Sequence, residues 1–371
     1  MKFIVAPDSF KGSVSSAEAC LAIERGIKRV LPDAEVVCKP IADGGEGTLE
    51  AIVPADKRTA ITVSGPLFEK VTAYYGSLED IAVVEMASAA GLTLVPEEKR
   101  DAGKTTTFGV GEIISHAIGR GYRRIMLTVG GSATNDGGCG MLAALGARFF
   151  DSLGNSFVPV GDTLGEIERI DISGICEGFF ECEFLIATDV KNTLLGANGA
   201  TYIYARQKGA DEEKLDRLER GMTGYAELLN TLSGKRVSEL EGCGAGGGIS
   251  APLLAFADAR VRSGIDTVLD AVGFLGELSD TDAVITGEGR LDLQSLCGKA
   301  ISGVAKRAAE KNIPLYCFVG CVGDNAEEIK KMGISEIYEV RSLADSAEDS
   351  IKNADRYLEI MAENFAVRYL S

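Results

Sequence analysis

The chain has 371 residues, 46% hydrophobic and 25% charged, with 38 Lys and Arg against 55 Asp and Glu and a formal net charge of −17. This is the composition of an ordinary globular protein with core enough for two domains or one large one. The acidity argues against nucleic acid and against an anionic membrane surface as partners. Nine cysteines sit mostly in apolar settings and read as buried thiols in a reducing compartment. The chain opens in a strand-like run rather than a signal-peptide pattern, and no apolar run reaches the length of a membrane span, so a cytoplasmic location is expected. Nothing in the composition fixes the oligomeric state.

In chain order, residues 2–6 read as a strand, 15–30 as an amphipathic helix and 36–41 as a second strand. Ser15 or Ser16 caps the helix, with Glu18 in its first turn. A short helix is expected over 46–53. Residues 60–63, 70–76 and 81–84 read as strands joined by turns, with Gly65-Pro66 as punctuation, and their pattern is antiparallel. A helix over 106–119, a buried strand over 124–129 and a helix over 139–147 follow. An apolar strand at 184–186 ends in Ala187-Thr188-Asp189-Val190, and a charged helix covers 211–232. A helix is expected at 251–261. Strands at 282–285, 315–319 and 336–340 then alternate with helices at 298–311, 325–332 and 346–364.

Short β-branched strands with crossover helices mark both ends of the chain, whereas the middle is mixed. The expectation is an α/β protein of two α/β domains. Residues 1–56 and 255–371 form a discontinuous, doubly wound parallel-sheet (Rossmann-like) domain, into which a mixed α/β domain, 57–254, is inserted.

Four glycine-rich stretches each hold an acidic residue: APDSFKGS (6–13), ADGGEGT (42–48), TVGGSATNDGG (128–138) and ITGEGRLD (285–292). Three of them lie between a β-branched run and a helical pattern, where backbone N–H groups and a helix N-terminus favour an anion. An Asp or Glu in such a turn repels phosphate, so it suits a Mg²⁺ ligand, a general base or a partner for substrate hydroxyls. Glycine and Asp are also simply what turns are made of. Asp43 and Glu46 can aim at one point as a Mg²⁺ site does, or Asp43 can cap a helix whose dipole Glu46 offsets. Gly130, Gly131 and Ser132 supply donors, and Asn135 and Asp136 a donor–acceptor pair, in a loop suited to cradling phosphates. Asp189 ends an apolar strand, where a carboxylate is costly unless paired or bound; it is read as general base or metal ligand, or as part of a structural turn, with Asn192 three residues on. Glu288 and Asp292 bracket Arg290, giving either a metal-and-anion pair or an internal salt bridge. Lys299 opens a helix, which the dipole disfavours unless an anion is near.

No P-loop is present, because Glu98 stands where the first glycine before Gly103-Lys104-Thr105 is required, and no protein-kinase catalytic loop is found. Gly242 to Gly247 spells G-x-G-x-x-G with Asp266 about twenty residues on, but the polar run 236–241 before it is no buried strand. His116, the only histidine, lies at amphipathic helical spacing, which disfavours histidine-based mechanisms.

Together with TDVKNTLLGANGA (188–200), these motifs in this order resemble the bacterial glycerate kinase family, type I, across essentially the whole chain. Lys191 and Thr193 depart from the family pattern, as does Ile301, where a proline usually opens a helix. The resemblance implies phosphorylation of D-glycerate by ATP with Mg²⁺, in a two-domain α/β fold with its site in the interdomain cleft, and generally at the 2-hydroxyl. It makes Lys11 a contact to phosphate or to the glycerate carboxylate, rather than a solvated surface lysine; Asp8 beside it orients Lys11 or caps the turn. The resulting expectation has Lys11, Asp43 and Asp189 as catalytic residues. Gly130, Gly131, Ser132, Asn135, Asp136 and Lys299 meet the nucleotide; Asp8, Asn192 and Arg290 meet the acid; Glu46, Glu288 and Asp292 hold the metal. Two competitors come from other classes. One is an NAD(P)-dependent hydroxy-acid dehydrogenase using the Gly242 loop, and the other is a non-catalytic sensor of a small acid.

Overall fold

The computed structural model describes residues 1–45, 47–292, 300–323 and 333–370. The chain divides into two compact α/β units: Met1–Asp43 with Glu50–Ile52 and Ser263–Ser371, and Gly44–Leu49 with Val53–Arg262. Strands β1 (Lys2–Pro7) and β2 (Glu35–Cys38) open the chain, followed by β3 (Arg58–Ser64), β4 (Lys70–Leu78), β5 (Ile81–Glu85) and β6 (Arg124–Thr128). Next come β7 (Arg148–Phe150), β8 (Ser156–Phe157), β9 (Arg169–Asp171), β10 (Glu183–Ala187) and β11 (Asp258–Arg262). The last three are β12 (Ala283–Leu291), β13 (Leu315–Val322) and β14 (Ile334–Glu339).

In the first unit the sheet order is β14-β13-β12-β1-β2, and every pairing is parallel. Strands buried on both faces read as continuous apolar runs, as Phe3, Ile4 and Val5 do. The helix Ser16–Val30 begins with a capping box. Ser15 Oγ accepts the Glu18 amide at 3.2 Å, and the Glu18 carboxylate accepts the Ser15 amide at 2.9 Å. Its apolar face packs on the helix Ala354–Tyr369, where Gly26 lets the backbones touch: a Cβ there would lie 2.2 Å from the Glu359 carbonyl oxygen. Ile23, Ile27, Leu358 and Phe365 close this core over Phe3 and Phe318.

The second unit holds a mixed sheet, β11-β10-β6-β5-β4-β3. β5, β6, β10 and β11 run parallel, while β3 and β4 add as an antiparallel edge. A small antiparallel sheet, β8-β7-β9, was not signalled by the sequence because its strands are two or three residues long. Among the described residues no helix is long and apolar enough to cross a membrane.

Two expected helices are corrected. The one placed at 251–261 ends at Phe256, and Asp258–Arg262 is a strand beside β10. Its alternation decides this, since Ala259 and Val261 are sheltered while Asp258, Arg260 and Arg262 are exposed. The one placed at 346–364 is two helices, Ala347–Lys352 and Ala354–Tyr369. They part at Asn353, whose backbone is non-helical and whose amide donates to Asp349 at 2.7 Å. The helix expected at 325–332 lies outside the described residues.

Candidate active site

Open parallel sheets bind ligands beyond the carboxyl ends of their strands. In the first unit that edge carries a pocket of about 380 Å³. β1 delivers Asp8 and Lys11 to it, β12 delivers Glu288 and Arg290, and the run after β2 delivers Asp43. The ladder continues past the strands themselves: Ile41 N donates to Pro7 O at 3.2 Å and Asp8 N to Gly287 O at 2.8 Å. Asp8, Asp43 and Glu288 are therefore brought side by side by register. Glycine is required at 287, since a Cβ would meet the Phe318 carbonyl oxygen at 1.9 Å. After Asp8 the chain turns back on itself, with Phe10 N donating to Val14 O and Gly12 at φ 77°.

The electrostatics follow from this crowding. Burial, then the charges of Asp43 and Glu288, push the Asp8 carboxyl up to about 7, while the Ser9 amide (2.6 Å) and Lys11 act the other way. Lys11 and Arg290 are exposed at the rim, and Arg290 lies 3.6 Å from Asp292. Arg341, which the sequence reading missed, lines the same pocket. Carboxylates and cations thus share one small cavity, the inventory that phosphoryl transfer needs. Glu46 and Lys299 lie outside the described residues.

A second set of residues belongs to the other unit, beyond the carboxyl ends of β6 and β10. The Gly130–Gly138 loop is firmly built. Asp136 is fully buried and accepts the Thr107 amide at 2.7 Å, the Thr107 hydroxyl at 2.8 Å, and the amides of Gly138 (3.1 Å) and Gly140 (3.3 Å). Burial pushes its carboxyl up, and these bonds oppose that. Asn135 is buried, donating to Thr201 at 3.3 Å with its Oδ1 unpartnered. Asp136 therefore organises the loop from within, while Gly131 and Ser132 lie nearer its surface.

Asp189 follows β10 and is exposed, so the expected cost of burying its charge does not arise. Asn192 spends both ends of its amide inside its own loop, donating to Asn198 O and accepting from Tyr204, each at 2.7 Å. The Gly242–Gly247 run follows a short helical turn, Val237–Glu239, not a strand. Its glycines serve close packing, because a Cβ at Gly247 would lie 1.9 Å from Thr134 O.

Two buried charges escaped the sequence reading. Glu85, at the end of β5, accepts the amides of Gly47 (3.0 and 3.1 Å) and Leu49 (3.1 Å), anchoring the ADGGEGT loop. A carboxylate at the end of the buried run IAVVE is the same signal that drew attention to Asp189. Lys208 is buried and bonded to Ser132 and Thr134, about 75 residues away in sequence. No local pattern marks it.

A family model described as the glycerate kinase family matches residues 3–370. The chain belongs to the glycerate kinase family. It is 42% identical over 370 residues to a glycerate kinase of Bacillus subtilis (strain 168), covering 99% of this chain and 97% of the relative. It is 41% identical over 358 residues to glycerate 2-kinase of Escherichia coli (strain K12), covering 95% and 94%. A crystal structure provisionally named glycerate kinase 2, from Salmonella typhimurium LT2, matches with TM-score 0.90 at 41% identity, covering 100% of this chain and 98% of that one. The chain is accordingly a kinase, a phosphotransferase with an alcohol group as acceptor, and the family implies ATP as co-substrate.

Proposed function

We propose that this kinase transfers the γ-phosphate of ATP to the 2-hydroxyl of D-glycerate, giving 2-phosphoglycerate, and that Asp8 accepts the hydroxyl proton. The observation that carries this reading is the pocket at the carboxyl ends of β1 and β12, where Asp8, Asp43 and Glu288 face Lys11 and Arg290. A carboxyl with its pKa at about 7 is matched to proton transfer at neutral pH. Lys11 and Arg290 neutralise the anions, Lys11 at the transferring phosphoryl group and Arg290 at the acid's carboxylate. Asp43 keeps Asp8 basic by its charge, and Asp189 is the competing proton acceptor. Gly130, Gly131 and Ser132 meet nucleotide phosphate, with Asn135 and Asp136 shaping that turn. Asn192 supports the loop rather than the acid. We assign the two units as a discontinuous parallel-sheet domain and an inserted mixed domain, as their residue ranges suggest.

The donor set fits Mg²⁺. Among the described residues no three acidic, Cys or His side chains form a closed metal cage, and Mg²⁺ does not ask for one, because it binds through one or two carboxylates plus water and phosphate oxygens. Glu288 and Asp292 would hold it, beside Asp8 and Asp43 in the same pocket, where several carboxylates crowd together. When bound, Mg²⁺ supplies neutralisation of phosphate charge. A coupled assay with D-glycerate and ATP, with NMR of the product, tests the reading. A 3-phosphoglycerate product would reassign the hydroxyl, and no ADP formation would sink the proposal.

A further inference from the structure

Lys208 has no role in the chemistry described above, yet it is a buried charge, which is costly unless compensated. Its ammonium is enclosed, donating to Ser132 Oγ at 2.7 Å and to Thr134 O at 2.7 Å. The backbone that carries it is held in place, since Gly209 follows at φ 92° and a Cβ there would lie 2.1 Å from Arg100 O. An isolated lysine is not retained in such a place by packing alone, because an apolar residue of similar volume avoids the desolvation. What the ammonium does locally is fix the polarity of one hydroxyl. As an ammonium, lysine donates and cannot accept. A Ser132 hydroxyl that receives its proton has its own O–H left to give, and among the described residues that O–H meets no acceptor.

We propose that Lys208 works through Ser132, committing that hydroxyl to donate outward onto a phosphate oxygen of the nucleotide at the Gly130–Ser132 turn. The inference rests on the nucleotide reading of this loop given above. Lys208 touches no ligand and is a positioning residue; Ser132 makes the contact. Its charge reaches the ligand as a polarised hydroxyl, a charge-assisted chain of two hydrogen bonds. Asp136 is the charged group facing Lys208, and it favours the ammonium form against burial, which holds the pKa at about 7. An anion beside Ser132 would favour that form further.

The test is a double-mutant cycle on Mg·ATP binding by calorimetry, without acceptor, using Lys208→Met, Ser132→Ala and the pair, with thermal unfolding of each. Each single variant should weaken binding about tenfold or more, and the pair should be no weaker than Ser132→Ala alone within about twofold. Ser132→Thr, which restores a hydroxyl, should recover affinity. Multiplicative losses, or a folded Lys208→Met that binds normally, overturn the relay. If Lys208→Met does not fold, Ser132→Ala and Ser132→Thr still decide, because full affinity in Ser132→Ala overturns the proposal. A wild-type chain that binds no ATP sinks the nucleotide reading as well, and that result is seen before any variant is made.

Discussion

Asp8→Asn should make the metal-free protein more stable at alkaline pH while nearly abolishing its activity. The Asp8 carboxyl holds its proton up to about pH 7 in the folded protein against an ordinary value of 3.8. Because the folded-state value is raised, its contribution to stability is full below about pH 4 and is lost as pH rises through 7. At 1.36 kcal/mol per tenfold change in proton affinity, the difference sets a ceiling of ~4 kcal/mol on what the ionised group costs the fold at pH 8. Asparagine keeps an oxygen for the Ser9 amide and removes the charge that Asp43 and Glu288 repel. The variant's advantage should therefore grow by ~2 kcal/mol between pH 5 and pH 8. The chain has no tryptophan, so circular dichroism in urea with EDTA is the assay, with hydrogen exchange on β1 and β12 peptides to localise the gain. An advantage that is constant or shrinks with pH would refute the reasoning. So would a variant less stable than wild type at pH 8. In the same variant, turnover should fall about 10²-fold or more as the proton acceptor is lost.

Lys11→Ala should lower turnover about 10²-fold with little change in melting temperature, because an exposed side chain adds little to folding while a phosphate-facing cation acts on the transition state; activity measured beside thermal unfolding checks it. Asp189→Asn separates the two carboxylate candidates. It should leave stability unchanged, since the side chain is exposed, and steady-state rates should show a far smaller loss than in Asp8→Asn; the reverse order moves the base to Asp189. Glu85→Ala strands the amides of Gly47 and Leu49 and should cost ~2–3 kcal/mol, read by urea unfolding. Mg²⁺ should raise the melting temperature of wild type more than that of Glu288→Gln. NADH should give no saturable fluorescence change, since the Gly242 loop is closed by its contact with Thr134.

Elements with a strong period were legible in the sequence. The run 2–6, the helix after Ser15 and the alternating strands from Arg58 to Glu85 all stand where pattern put them. So were the loops, because glycine beside a strand end signals a turn whatever the fold around it. What could not be read were choices made by distant partners. Asp258–Arg262 alternates as a strand does, but only its pairing with β10, distant in sequence, places it in the sheet rather than in the helix before it. Asn353 breaks a helix that periodicity would have carried through, because its amide finds Asp349. Among the site residues, Asp136 looked like a ligand group and is the buried organiser of its own loop. Asp189 looked buried and is exposed. Lys208 and Glu85 went unnoticed because their importance lies in what they touch, not in their neighbours along the chain.

The sheet of the first unit joins β1 to β12, so that Thr286 bonds Ala6 across 280 residues. That pairing sets a timetable during synthesis. At roughly 5–20 residues per second, β1 waits on the order of 15–60 s for its central partner to be made. For that interval the first strand, helix and second strand lack the strand that completes their sheet, and β1 presents an unpaired apolar edge. The second unit, whose strands all lie between Arg58 and Arg262, has its full set of partners earlier. A newborn chain of this kind meets its greatest risk of wrong pairing at its oldest residues. Slowing translation after β11 should therefore leave the N-terminal segment, not the middle, open to proteases and chaperones.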